Sequence, residues 1–198
     1  YEIPVGSRTA KGSLIVNFLQ LAPDEKVTAV LSTEDYKGSE YLLMVTRGGI
    51  VKKSKLSDFD NIRRSGLIAI RLRTTDLLQW VKPTTGKDEV MLVTERGQSV
   101  RFRETQVRPM GRAAGGVIGI RLHKGDAVIG MDVISKGASE THLQVFVITK
   151  NGFGKRTPLK AYRVHGRGGS GIKTAKCTPK TGHIVAAHVI HAQEAEAE

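Results

Sequence analysis

"RGGIVKKSKL", residues 47–56, sets a glycine turn ahead of a strand-like stretch that carries Lys52, Lys53 and Lys55 where a buried strand would carry apolar side chains. The stretch has relatives further along the chain. Thr46-Arg-Gly-Gly49, Thr94-Glu-Arg-Gly97 and Thr149-Lys-Asn-Gly152 each close an apolar run ("YLLMV", "VMLV", "VFVI") and each open a cationic one ("IVKKSKL", "QSVRFRETQV", "FGKRTPL"). Beyond each cationic run a glycine stands four residues ahead of an aliphatic, at Gly66 to Ile70, Gly116 to Ile120 and Gly168 to Ile172, and Gly12 to Val16 is the same element without its first half. The steps 12 to 66, 66 to 116 and 116 to 168 are 54, 50 and 52 residues. A third element follows, opened by Asp24, Asp76, Asp126 and His183.

A repeat of this period is read before any single strand, because a missed repeat misassigns the whole fold. The chain divides into a partial unit 1–22, units at about 23–74, 75–124 and 125–178, and a last strand 183–191, together one domain over 1–192 with an acidic tail 193–198. The runs are short, rich in Val, Ile and Leu and bounded by Gly, Asp, Asn or Pro, which is strand punctuation. "RGG", "ERGQ" and "KNGF" supply residues that tolerate the positive φ of a tight hairpin. Four short strands cannot bury a core alone, so the units are expected to pack side by side as blades about an axis, an all-β radial architecture.

Side chains alternate faces along a strand. Val100 and Phe102 are therefore expected to point one way and Arg101 and Arg103 the other; Ile68, Ile70 and Leu72 to point inward, Arg71 and Arg73 outward; and Arg121 and Lys173 to be the outward cations of later units. Lysines on an open edge also protect it from pairing with other molecules. One edge needs only a gatekeeper or two, whereas here every unit places cations at matching positions, which predicts a basic belt around the rim.

Composition agrees with such a belt. The 198 residues carry 31 Lys and Arg against 19 Asp and Glu, a formal charge of +12 with pI near 10.0, and Glu194, Glu196 and Glu198 concentrate acid in the final residues. A body this basic points to a polyanion, nucleic acid being the commonest, with membrane surface and acidic protein as the other classes. Cys177 is the one cysteine, which excludes an internal disulfide and fits a reducing cytosol. No apolar run reaches membrane-span length and no signal-peptide core is present; the start reads as a cut through a longer protein and "HAQEAEAE" as a natural end.

"VRPMGRAAGGVIGIRL" (107–122), "NGFGKRTPLKAY" (151–162) and the "GDAVIGMDVI" that begins at Gly125 resemble the repeats in the C-terminal domain of DNA gyrase A, and "YEIPVGSRTAKGSLIVNFL" is similar to the second half of that domain's first blade. The resemblance covers nearly the whole chain; the C-terminal domain of topoisomerase IV is similar in kind. It implies a β-pinwheel, a propeller-like disc of four-stranded antiparallel blades that exchange strands, with double-stranded DNA wrapped right-handedly around a basic perimeter so that ATP use becomes negative supercoiling. It also implies gyrase B and the N-terminal domain of gyrase A as partners, ATP and Mg acting elsewhere in the holoenzyme with no cofactor in this domain, and a bacterial, nucleoid-associated cytoplasmic setting, an organellar one remaining open. Two departures stand out. The family's basic box, Gln-Arg-Arg-Gly-Gly-Arg-Gly, is absent, His165-Gly-Arg-Gly-Gly-Ser-Gly171 being a degenerate echo, and about four units are present where the family disc has five or six blades.

The DNA-contacting candidates are Lys52, Lys53, Lys55, Arg63, Arg64 and Arg71 in one unit, Arg101, Arg103, Arg108, Arg112 and Arg121 in the next, and Lys155, Arg156, Arg163 and Arg167 in the third. Such residues neutralise phosphates and release counterions, so binding should be salt-sensitive and indifferent to sequence. Glycines in "GRAAGG" and "GRGGSG" let backbone amides approach phosphates. "GFGKRT" is not a P-loop, since Arg156 follows Lys155 where Ser or Thr is required. Cys177, His183, His188 and His191 lack a paired C-x-x-C and are expected to be solvated or packed rather than to hold zinc. Trp80 falls at an aliphatic position and is expected in the core. None of Tyr1, Tyr36, Tyr41 and Tyr162 follows an arginine, as the strand-cleaving tyrosine of the family does, so no catalytic centre is expected. The tail could compete with DNA for the belt or simply be solvated. A protein-interaction propeller with an incidental basic rim is the reading from another class.

Overall fold

The computed structural model describes residues 4–22, 25–32, 37–61 and 66–192. Among them the regular structure is strand, with short 3-10 turns between. The strands are β1 (Tyr41–Thr46), β2 (Ile50–Lys55), β3 (Leu78–Thr84), β4 (Glu89–Thr94), β5 (Gln98–Arg103), β6 (Val117–Ile118), β7 (Val128–Ile134), β8 (Leu143–Thr149), β9 (Gly154–Pro158), β10 (Ile172–Lys173) and β11 (Ile184–His191). All pairings between them are antiparallel.

Each blade is seeded by a hairpin, β1–β2, β4–β5 or β8–β9. The turns close through Gly49, Gly97 and Gly152 at φ 80°, 89° and 81°, a backbone that costs glycine nothing. The third element returns to pair with the first hairpin strand: β3 with β1, β7 with β4, β11 with β8. The fourth strand is borrowed. β6 follows β5 in the chain but pairs with β2, and β10 follows β9 but pairs with β5, giving orders β3-β1-β2-β6, β10-β5-β4-β7 and β11-β8-β9.

An acid fixes each return. The Asp76 carboxylate accepts from Thr46 Oγ1 at 2.6 Å, Gly48 N at 2.7 Å and Leu77 N at 2.8 Å. Asp126 repeats the clasp on Thr94 Oγ1 (2.7 Å), Arg96 N (3.0 Å) and Ala127 N (2.8 Å). In the third blade His183 has no carboxylate to offer, and Asn151 Nδ2 instead donates to the Pro179 and Lys180 carbonyls.

Two cores lie between successive blades. Leu43, Val45 and Val51 of the first pack with Val90, Leu92, Val100 and Phe102 of the second; Met91 and Val93 of the second pack with Val145, Val147, Leu159 and Tyr162 of the third. Strand β4 therefore alternates between two cores rather than between core and water, and reads as a continuous apolar run. Strand β8 alternates, with Leu143, Val145 and Val147 buried and Gln144, Phe146 and Ile148 half-exposed. Strand β7 packs on β3 and β11, and a Cβ at Gly130 would come within 2.7 Å of the Ala187 carbonyl oxygen. Trp80 packs against the first core, as its position in the repeat predicted.

Three expectations need correction. Residues 12–16 form no strand but lead into a 3-10 turn over Ile15–Asn17; residues 25–32 form no strand; and 66–72 form none, leaving Ile68 and Leu72 exposed rather than inward. The physical reason is common to the two glycine runs: this element becomes a strand only on the free edge of another blade's hairpin, and no hairpin among the described residues offers one. The third correction is of register. Gly171, not Gly168, occupies the place of Gly116, with φ 77° and 85°, because Gly171 closes on the Ser99 carbonyl as Gly116 closes on that of Val51. The counterpart of Arg121 is consequently Lys176, not Lys173.

Candidate nucleic-acid interface

Strands β6 and β10 lie at the edges of their sheets opposite β3 and β7, which are the edges that approach the other blades. The residues preceding and following β6 and β10 therefore form the rim. Arg108 and Arg112 precede β6 and Arg121 follows it; Arg163 and Arg167 precede β10 and Lys176 follows. Lys55 and Arg103 end β2 and β5 at equivalent positions, and Lys155 and Arg156 lie along β9.

Exposure separates these cations into two groups. Lys55, Arg71, Arg103, Arg108, Arg121, Lys155, Arg156 and Arg163 are exposed, as is Lys176, a rim cation that the shifted register concealed in the sequence. Arg112 and Arg167 are half-buried. Arg112 donates to the Asp58 carbonyl at 3.1 Å, and Arg167 donates through Nε to the Gln106 carbonyl (2.9 Å) and through a terminal nitrogen to that of Ile118 (3.0 Å). Arg63 and Arg64 lie outside the described residues.

Lys52, Lys53 and Arg101, expected on the belt, are buried, at 0%, 4% and 4% exposure. Alternation along β2 and β5 does turn them away from the core that holds Val51, Val100 and Phe102, but the far face of a blade meets another part of the protein, not solvent. Lys52 Nζ donates to the Ala69 carbonyl at 2.5 Å and to the Arg112 carbonyl, drawing together two loops. Lys53 Nζ lies 4.9 Å from the Tyr41 ring centroid and donates to the Glu104 carbonyl at 3.1 Å. Arg101 donates to the Leu159 (3.4 Å) and Tyr162 (3.1 Å) carbonyls and pairs with Glu89 and Glu140, both at 2.5 Å. Glu104 and Leu159 each follow the second hairpin strand of the succeeding blade, so Lys53 and Arg101 are one latch used twice. The backbone repeats it: Lys53 O accepts from Met110 N and Arg101 O from His165 N, each at 2.8 Å.

Burial lowers the pKa of Lys52, opposed by Asp58, and that of Lys53, opposed by Glu104 and Asp88. Burial likewise raises the pKa of Glu104. The acids at 88, 89, 104 and 140 are the counter-charges that single out the buried cations, and they are easily passed over in the sequence because they lie in other units. Cys177 Sγ donates weakly to the Glu95 carbonyl at 3.7 Å, and His188 Nδ1 lies 3.7 Å from Asp132. No group of three or more potential metal ligands occurs among the described residues, and none of their helices is long and apolar enough to cross a membrane.

What remains at the surface is a series of arginines and lysines beside exposed glycines, Gly111 and Gly166 having open space where a Cβ would stand. Cationic groups around accessible backbone suit a phosphate chain, which they can approach without reading bases.

Known proteins carry the same repeat. The family model "DNA gyrase C-terminal domain, beta-propeller" matches residues 1–34, 40–85, 88–135 and 144–191. The DNA gyrase A protein of Staphylococcus epidermidis is 43% identical over 195 residues, 98% of this chain and 22% of the relative, so the chain spans about a fifth of the length of that relative. Among solved structures, the C-terminal domain of DNA topoisomerase IV superposes with a TM-score of 0.81 at 28% identity, covering 91% of this chain and 55% of that one. The DNA gyrase A C-terminal domain gives 0.77 at 24% identity over 91% and 59%, which establishes a shared fold. With four matched repeats and blades that borrow their outer strands, this chain belongs to the DNA gyrase C-terminal domain family.

Proposed function

We propose that the chain binds double-stranded DNA around its basic rim, without sequence preference, and wraps it as the C-terminal domain of a DNA gyrase A protein. The observation that carries this reading is the recurrence of exposed cations at equivalent rim positions: Lys55 with Arg103, Arg108 with Arg163, Arg121 with Lys176. A duplex bent around the rim costs elastic energy, and phosphate contacts added blade by blade offset it. In the parent enzyme the wrapped segment would be presented for passage through a cleaved one, with gyrase B and the N-terminal domain of gyrase A supplying ATP hydrolysis, Mg and strand cleavage. This domain's own part is to hold and bend DNA. A gel-shift series against duplex length tests it: affinity should climb until the duplex reaches many tens of base pairs and then level off. Equal affinity for short and long duplexes contradicts wrapping and leaves the protein-interaction propeller as the better reading.

A further inference from the structure

The third blade is the one whose sheet, among the described residues, has three strands rather than four. Its second hairpin strand β9 is exposed along nearly its whole length, whereas β2 and β5 are buried up to their last residue. Phe153, just past the turn glycine, is 44% exposed, against 6% for Ile50 at the same position of the first blade. Phe146 and Ile148 are half-exposed at the positions where Met91 and Val93 meet the succeeding blade. Here, then, is an acceptor edge with the form of the two filled ones.

The matching donor is also present. Gly66 has φ 73°, as Gly116 (85°) and Gly171 (77°) do. A Cβ at Gly116 would strike Ile50 and Val51, and one at Gly171 would strike Ser99, but one at Gly66 would meet nothing within 4 Å. Arg71 N donates to the Ala114 carbonyl at 3.2 Å, the counterpart of Arg121 N donating to that of Gly169 at 2.8 Å. The run 66–72 is thus held in the shape of a fourth strand with no hairpin to receive it.

We propose that a second copy of this chain docks head to tail, its run 66–72 adding to β9 as the fourth strand, with Gly66 closing on Gly154 as Gly116 closes on Val51 and Gly171 on Ser99. The contact continues the two junctions already built within one chain. It joins unlike surfaces, so it either closes a ring or extends. Residues 4–32 carry no strand among those described and belong to neither core cluster, and so present little resistance to the incoming blade. Docking of this kind does not depend on DNA binding.

The full chain, without DNA, is measured by analytical ultracentrifugation over a range of concentrations. The weight-average mass should rise above that of one chain. Gly66→Ala on the donor and Phe153→Glu on the acceptor should each weaken association at least tenfold, while an equimolar mixture of the two variants, which retains one intact pairing, should associate again. Leu67→Glu serves as a second donor variant should Gly66→Ala lose its far-UV circular dichroism. A single-chain mass throughout, a variant that associates like the parent, or a mixture that stays at single-chain mass would overturn the proposal.

Discussion

The two inter-blade junctions use one latch with different electrostatics. At the first, Lys53 reaches the Glu104 backbone carbonyl beside Asp88 and the Tyr41 ring, and burial pulls the lysine pKa down and that of Glu104 up. At the second, Arg101 divides its guanidinium among two carbonyls and two carboxylates. Arginine remains charged at any ordinary pH and its planar fork suits several acceptors at once, whereas a buried ammonium is sensitive to its surroundings. The second junction should therefore be the more costly to break and the first the more responsive to pH.

The largest expected effect follows from Arg101→Ala. It strands Glu89 and Glu140 and leaves the Leu159 and Tyr162 carbonyls unpaired, and loss of one partner of a buried charge pair costs about 3–5 kcal/mol. Urea unfolding should show a loss near the lower figure, since Glu140 is partly exposed and can take up water. Removing a turn clasp comes next. Asp126→Ala deprives Thr94 Oγ1, Arg96 N and Ala127 N of their acceptor and should cost about 1–3 kcal/mol, while Asp76→Ala should cost a similar amount at the equivalent place. A clear difference between these two would show that the clasps, unlike the latches, are not equivalent. Lys53→Met retains the stem's packing and removes the buried charge, so its cost should be smaller than that of Arg101→Ala by the same measurement.

The smallest effect concerns pH. Burial holds the Glu104 pKa above its ordinary 4.5 in the folded chain, so its contribution is full below that value and is lost as pH rises through the folded one. Glu104→Gln keeps an acceptor for Asp88 N and should flatten this decline in the urea midpoint between about pH 4 and about pH 8. Lys53 and Asp88, which face Glu104, remain in the variant, so a decline that persists would assign the pH response to them.

Much of this was legible in the sequence. Thr46, Thr94 and Thr149 with their following glycines mark three hairpins because a tight turn needs residues of that kind, and the acid that opens each return strand is visible although its bonds are not. Two features were not legible, for physical reasons. "GRGGSG" offers several glycines at nearly the right spacing, and only the approach of Gly171 to the Ser99 carbonyl selects one of them. Alternation assigned Arg101 to the face away from Val100 and Phe102 but could not say what that face meets. In a single sheet it meets water; in a stack of blades it meets the next blade. The same limit explains residues 12–16 and 66–72, whose pattern is that of a strand and whose conformation depends on an edge supplied from elsewhere.

The central claim is a division of labour: exposed rim cations bind phosphate, and buried ones hold the blades. It is tested most directly by the slope of log affinity for a long duplex against log salt concentration. Changing Arg108, Arg121 and Arg163 together to Ala should reduce the magnitude of that slope by about 2 to 3, roughly 0.9 for each phosphate no longer neutralised, with the fold intact, and Lys53→Met should leave it unchanged. A triple variant that folds and keeps the parent slope, or a Lys53→Met variant that folds and loses it, would contradict the account.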